Sequence, residues 1–136
     1  AVLVALTVAV VIALPWFRGG TGLRDVPGGL SSELARLPEG AKVLVHQPWA
    51  SWVEYASPQV LVFVDSRIEL FPDEVWRDYQ EVAFSGAGWR EALGRWRPDA
   101  IVADKESWDL IPFLRDAETW EVAAEDDDFV LFTRVA

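Results

Sequence analysis

The sequence contains no cysteine, no methionine and only one histidine, His46, among its 136 residues. Without cysteine the chain has no disulfide, no thiolate zinc site and no cysteine nucleophile. A serine triad would need an elbow such as G-x-S-x-G, and no such motif is present. Because an open reading frame begins with methionine, we expect the N-terminus at Ala1 to have been cut or processed.

Charge is absent from residues 1–17, AVLVALTVAVVIALPWF. A membrane-spanning helix needs about 20 apolar residues, so we predict that this run is a transmembrane helix whose span begins upstream of Ala1. Trp16, Phe17 and Arg18 resemble an interfacial aromatic belt with a basic anchor. A secretory signal peptide would begin with a basic n-region, and this run has none. A buried core helix is the alternative, and the absence of a polar face argues against it.

All 22 acidic and 12 basic residues lie in residues 18–136, which carry the whole net charge of −10. An acidic surface repels phosphate backbones, so we predict no nucleic-acid partner. Residues 18–29 are rich in glycine and have no periodicity, which is typical of a flexible linker. Residues 30–136 are long enough to bury a core of their own, and we predict that they form one domain.

Hydrophobic periodicity predicts alternating strands and helices in this domain. The strands are predicted at residues 42–46, 60–64, 100–103, 120–124 and 130–132, and the helices at residues 31–37, 48–56, 72–83, 89–96 and 105–116. Pro112 is expected to break or kink the last helix. Six of the eight tryptophans fall on these helices, where packing explains them better than carbohydrate stacking does: Trp49, Trp52, Trp76, Trp89, Trp96 and Trp108.

The element order indicates an α/β fold with a doubly wound, Rossmann-like, three-layer arrangement and a C-terminal antiparallel hairpin. The continuous apolar run from Val60 to Val64 predicts a strand buried on both faces of a mostly parallel sheet. The preferred strand order is 2-1-3-5-4, with the last strand antiparallel. The order 2-1-3-4-5 remains open.

Polar side chains follow two neighbouring strands of the predicted sheet. His46 ends the first strand, and Asp65 and Arg67 follow the second. Ligands of open α/β sheets bind at this carboxyl edge, so these three residues are the candidate ligand-binding residues. Asp65 and Arg67 could clamp a sugar hydroxyl or phosphate, or pair with each other. We favour the structural pair, and a structural hydrogen-bonding role for His46.

No other pattern supports chemistry. The glycine-rich stretches lack the spacing of nucleotide-binding loops. The acidic run Glu125 to Asp128 lacks the spaced ligands and the glycine of a calcium loop, and it is typical of a solvated hairpin turn. We therefore predict no catalytic residue, no metal site and no cofactor within this chain.

Residues 62–82, VFVDSRIELFPDEVWRDYQEV, carry a resemblance to a known family. Together with Gly88-Trp89, Leu93 and Asp99 to Val102, they resemble the C-terminal tail domain of bacterial polytopic membrane proteins of the glycosyltransferase family 39 or dolichyl-phosphate-mannose-protein mannosyltransferase type. Ser66 stands where those tails usually have glycine, and Ala50-Ser51-Trp52 replaces a glycine-rich stretch.

The resemblance implies a parent enzyme that uses a lipid-linked sugar donor, with its acidic catalytic residue in an early extracytoplasmic loop outside this chain. Residues 30–136 would then be a non-catalytic accessory domain on the extracytoplasmic side of the cell membrane. Its implied partners are the lipid bilayer through residues 1–17, the upstream transmembrane part of the same protein, and a lipid-linked sugar or glycan. The alternative is a sugar-binding or sugar-processing domain with its own site at Asp65, Arg67 and His46.

Overall fold

A computed structural model describes residues 26–135. The predicted transmembrane helix and most of the predicted linker lie outside these residues. The last two linker residues, Gly28 and Gly29, belong to a 3-10 turn over Gly28–Leu30. Of the helices in the described part of the chain, none has the length and hydrophobicity needed to cross a membrane.

Residues 26–135 form five α-helices and five strands. The helices are α1 (Ser31–Leu34), α2 (Gln47–Ala56), α3 (Asp73–Ala83), α4 (Trp89–Trp96) and α5 (Ile111–Asp116). The strands are β1 (Lys42–Val45), β2 (Leu61–Val62), β3 (Ala100–Asp104), β4 (Trp120–Glu125) and β5 (Phe129–Arg134). A second 3-10 turn, Ile68–Leu70, precedes α3.

The five strands form one sheet in the order β2-β1-β3-β5-β4, which confirms the preferred prediction. β1 pairs in parallel with β2 and with β3. β5 is antiparallel to both β3 and β4. The sheet is therefore mixed, and the prediction of a mostly parallel sheet is wrong. The terminal hairpin supplies two long antiparallel ladders, whereas the ladder between β1 and β2 has only two residue pairs.

The second strand is not buried on both faces. β2 is an edge strand, and Leu61 is 59% exposed, although Val60 and Val64 on either side are buried. The apolar run is typical of a central strand because its residue types suit burial. Residue type alone does not indicate whether a strand has one neighbouring strand or two. The interior positions of the sheet belong to β1, β3 and β5.

Two hydrophobic clusters lie on opposite faces of the sheet, because successive side chains of a strand point in opposite directions. Leu44 of β1 packs with α3, α4 and α5. Val43 and Val45 of the same strand pack with α1 and α2. The inward face of α3 is formed by Val75, Tyr79 and Val82, which are all buried.

One local prediction differs from the structure. The predicted helix over 105–116 begins only at Ile111, because Pro112 suits the first turn of a helix, where no backbone donor is needed. Trp108 consequently lies in the segment before the helix, where it is 3% exposed.

Candidate functional site

Asp65 and Arg67 form a closed pair directly after β2. Asp65 is 1% exposed. Its Oδ1 accepts a hydrogen bond from the Arg67 backbone N–H at 2.7 Å, and its Oδ2 accepts from Arg67 Nε at 2.8 Å and also from Nη2. Both carboxylate oxygens are thus engaged by one residue. The Arg67 side chain is partly exposed and also reaches Glu54 Oε1 at 3.4 Å.

The electrostatics of this pair favour the ionised forms of both Asp65 and Arg67. The hydrogen bond from the Arg67 side chain holds the pKa of Asp65 below its usual range, against the opposing effect of burial. The Asp65 carboxylate in turn raises the pKa of Arg67. A carboxyl group with a lowered pKa stays ionised at neutral pH, so Asp65 is not suited to act as a general acid.

The segment around Asp65 is tied to the neighbouring helices. The Gln47 side-chain amide donates to the Asp65 carbonyl at 3.3 Å, and the Gln47 backbone N–H donates to the Tyr79 hydroxyl at 2.8 Å. The Ser51 and Ser66 hydroxyls lie 3.1 Å apart. The contacts of Gln47 and of the Tyr79 hydroxyl with this segment were not predicted from the sequence. Their only sequence signal is the position of Gln47 immediately after the first strand and His46.

His46 lies apart from this pair. It is the N-cap residue of α2 and has an extended backbone, without a side-chain capping bond. Its Nδ1 lies 3.4 Å from the Ser107 hydroxyl. Burial lowers the pKa of His46, and the charge of Asp104 opposes that effect. No hydrogen bond between His46 and Asp65 or Arg67 occurs in residues 26–135. The structure therefore brings together two of the three candidate residues, and His46 faces the end of β3 instead.

The chemistry available at this edge is limited. A serine nucleophile and its base need a contact of about 2.6–3.2 Å, and the distance between Ser107 and His46 is longer. In the part of the chain that the structure describes, no three acidic or histidine side chains converge as they would around a metal ion. Asp126 closes the predicted hairpin turn, since its Oδ1 accepts from the backbone N–H groups of Asp128 and Phe129.

Comparison with protein-family models, with curated proteins and with solved structures finds no match to this chain.

Proposed function

We propose that residues 30–136 are a non-catalytic accessory domain on the extracytoplasmic side of a membrane glycosyltransferase-like protein that uses a lipid-linked sugar donor. The observation that carries the non-catalytic part is the closed Asp65–Arg67 pair. At the sheet edge where an α/β enzyme presents its reactive groups, the buried carboxylate is fully occupied by its own neighbour.

The rest of the proposal is supported by the sequence. The uncharged run 1–17 is suited to a bilayer, and the motifs in residues 62–102 resemble the tails of such membrane proteins. Two parallel connections from β1, one to each side, support the further proposal that the domain is doubly wound and Rossmann-like.

A topology experiment tests the location. Alkaline phosphatase, which is active only outside the cytoplasm, is fused after Ala136 of the full chain, and a fluorescent protein that matures only in the cytoplasm is fused at the same place. We expect phosphatase activity and no fluorescence. Fluorescence without phosphatase activity would contradict the extracytoplasmic location.

An activity experiment tests the non-catalytic assignment. The purified full chain is incubated with chromogenic glycosides and with lipid-phosphate sugars, and we expect no turnover. The alternative, a sugar-processing site at Asp65, Arg67 and His46, predicts turnover that is lost in both Asp65→Asn and His46→Gln. The second substitution matters because it lies outside the buried pair, so its loss of activity would not be a folding defect.

A further inference from the structure

A cavity of about 500 Å³ lies between α4, the segment that follows α5, and the open end of the terminal hairpin, where Trp120 pairs with Arg134. Its lining includes Arg90 of α4, Arg97 at the C-terminal end of α4, and Arg134 at the end of β5. No aspartate or glutamate is among the described residues that line it. We call it the arginine cavity. It concentrates positive charge in a chain whose net charge is −10.

Most other basic side chains of the domain are neutralised by a carboxylate. Five of them form ion pairs: Arg36, Arg67, Arg95, Lys105 and Arg115. Within residues 26–135 none of the three guanidinium groups of the arginine cavity forms such a pair. The charges of the cavity are therefore available to a ligand from outside.

The groove between α3 and α4 shows the contrast. It has a volume of about 700 Å³ and contains Arg77 and Arg95. Four acidic side chains line it as well, namely Glu74, Asp78, Glu81 and Glu91. Arg95 Nε donates to Asp78 Oδ2 at 3.0 Å, and the same oxygen accepts from the Trp96 indole N–H at 2.9 Å. In that groove four carboxylates offset two arginines, and Arg95 is directly paired. No carboxylate lines the arginine cavity among the described residues.

Two of the three guanidinium groups are held in place by aromatic rings. The Arg90 Cζ lies 4.3 Å from the centre of the Trp89 ring, and the Arg134 Cζ lies 4.7 Å from that of Trp120. Arg134 Nε also donates to the Pro98 carbonyl at 3.1 Å. A guanidinium stacked by its face keeps N–H donors at its edge for a bidentate contact. Because the side chains are already restrained, a ligand orders less flexible chain when it binds.

Arg97 has an unfavourable backbone conformation. It ends α4 with φ 47° and ψ 61°, in the left-handed region. Glycine is the usual residue at such a helix end because it has no Cβ penalty. Strained residues of this kind cluster at binding sites. The position thus carries a guanidinium group where glycine would suit the backbone better.

We propose that the arginine cavity binds the phosphate group of a small phosphate ester. Guanidinium groups match phosphate oxygens in bidentate pairs, and three of them exceed what the single charge of a carboxylate would compensate. The buried side chains of Leu93 and Leu114 supply an apolar wall for the organic part of the ester. The acidic remainder of the domain disfavours an anionic membrane surface as the source of the phosphate. This proposal does not depend on the proposed function.

Calorimetric titration of the full chain tests the ligand class with three probes of similar size: phenyl phosphate, benzoate and phenol. We expect saturable binding of phenyl phosphate, binding of benzoate that is at least about tenfold weaker, and no binding of phenol. The affinity for phenyl phosphate should fall as salt rises from about 50 mM to about 500 mM, because exposed charges are screened. Absence of saturable phenyl phosphate binding, or tighter binding of benzoate, would overturn the proposal.

Arg97→Gly is the decisive variant, because it removes the guanidinium while giving the backbone the residue it favours. We expect its affinity for phenyl phosphate to be at least about tenfold lower than that of the wild type, as for loss of one charge-assisted hydrogen bond. Ser85→Gly is the matched control, since Ser85 also has a positive φ, of 53°, and lies outside the cavity.

Arg77→Gln is the control for net charge, because it removes one exposed guanidinium from the α3–α4 groove. Both controls should bind phenyl phosphate within about twofold of the wild type. An equal loss in Arg77→Gln and Arg97→Gly would mean a general charge effect and would overturn the proposal. So would binding to phosphatidic acid vesicles that depends on Arg97 when phenyl phosphate does not bind.

Discussion

Arginine plays two different parts in this domain. At the carboxyl edge of the sheet, Arg67 is bound by a buried carboxylate on a residue two positions away in the chain. In the arginine cavity, Arg90 and Arg134 lie over aromatic rings, and no carboxylate lines the cavity among the described residues. The comparison shows that the partner of an arginine decides its role. An arginine paired with a buried carboxylate contributes to folding, and an arginine without such a partner is available to bind a ligand.

Breaking the Asp65–Arg67 pair should have the largest effect on stability. Asp65→Ala removes the buried carboxylate and its hydrogen bonds, while the remaining Arg67 side chain is 59% exposed and can be hydrated. We expect the free energy of unfolding of the full chain to fall by about 2 kcal/mol, as for loss of hydrogen bonds to a charged group. Urea unfolding followed by tryptophan fluorescence measures this change.

A double-mutant cycle sharpens the same comparison. Arg67→Ala should destabilise at least as much as Asp65→Ala, because it leaves the buried Asp65 carboxylate without its guanidinium partner. The double variant should cost clearly less than the sum of the two single variants. Single variants within about 0.5 kcal/mol of the wild type would contradict a structural role for the pair.

Acid should weaken the ion pairs of Asp65 and Asp78. The pKa of Asp65 is lowered by its hydrogen bonds with Arg67, and the pKa of Asp78 is lowered mainly by its hydrogen bond with Arg95. For a lowered pKa, the contribution to stability is complete above the unfolded value of about 3.9. It is lost as pH falls through the folded value. We therefore expect stability to drop below about pH 4.

Asp65→Asn isolates one part of this acid dependence. The variant should be less stable than the wild type at pH 7, and the difference between the two should shrink as the pH falls below about 4. Urea midpoints measured across this range give the comparison. A constant difference at all pH values would show that Asp65 does not titrate with folding.

Arg97→Gly should leave stability nearly unchanged, in contrast to Asp65→Ala. Relief of the left-handed conformation gains about 1 kcal/mol, and the greater freedom of glycine in the unfolded chain offsets a similar amount. We expect the free energy of unfolding to stay within about 1 kcal/mol of the wild type in a urea melt. A loss above about 2 kcal/mol would mean that the Arg97 side chain contributes to folding.

The smallest effect is expected at His46. Burial lowers its pKa from the ordinary value of 6.5, so the unfolded chain takes up the proton first as pH falls. Its contribution to stability is therefore present above about pH 6.5 and decreases as pH falls from there through the folded pKa. His46→Gln should remove this shallow slope, which urea midpoints between about pH 5 and about pH 8 would reveal. An unchanged slope would assign it to other groups.

The strand order could be narrowed to two arrangements because local patterns locate the strands and their connections. The hairpin alternation around Trp120 and Phe132 and the apolar runs of β1 and β3 left few arrangements, and the preferred one is correct. The exposure of Leu61 could not be predicted. An apolar run reports that residues suit a strand, but the number of neighbouring strands depends on where distant segments pack.

The same distinction holds for the two polar regions. Asp65 and Arg67 are two positions apart, so their pairing could be anticipated from the sequence. Arg90 and Arg97 are seven positions apart on and beside α4, a spacing that places them on one helix face. Arg134 joins them because β5 inserts between β3 and β4. That order is the preferred prediction, but the sequence leaves the alternative 2-1-3-4-5 open, so the sequence alone does not bring Arg134 to α4.

The position of β1 in the sheet also has a consequence for the order of folding. The backbone hydrogen bond from Lys42 to the Asp99 side chain, at the start of the β1–β3 ladder, joins residues 57 positions apart. The β4–β5 hairpin closes over the short turn between Glu125 and Phe129. Closing the longer loop costs more chain entropy and is slower. We expect pulsed hydrogen exchange during refolding to protect the amides of β5 before those of β1, and simultaneous protection would show that the sheet forms in one step.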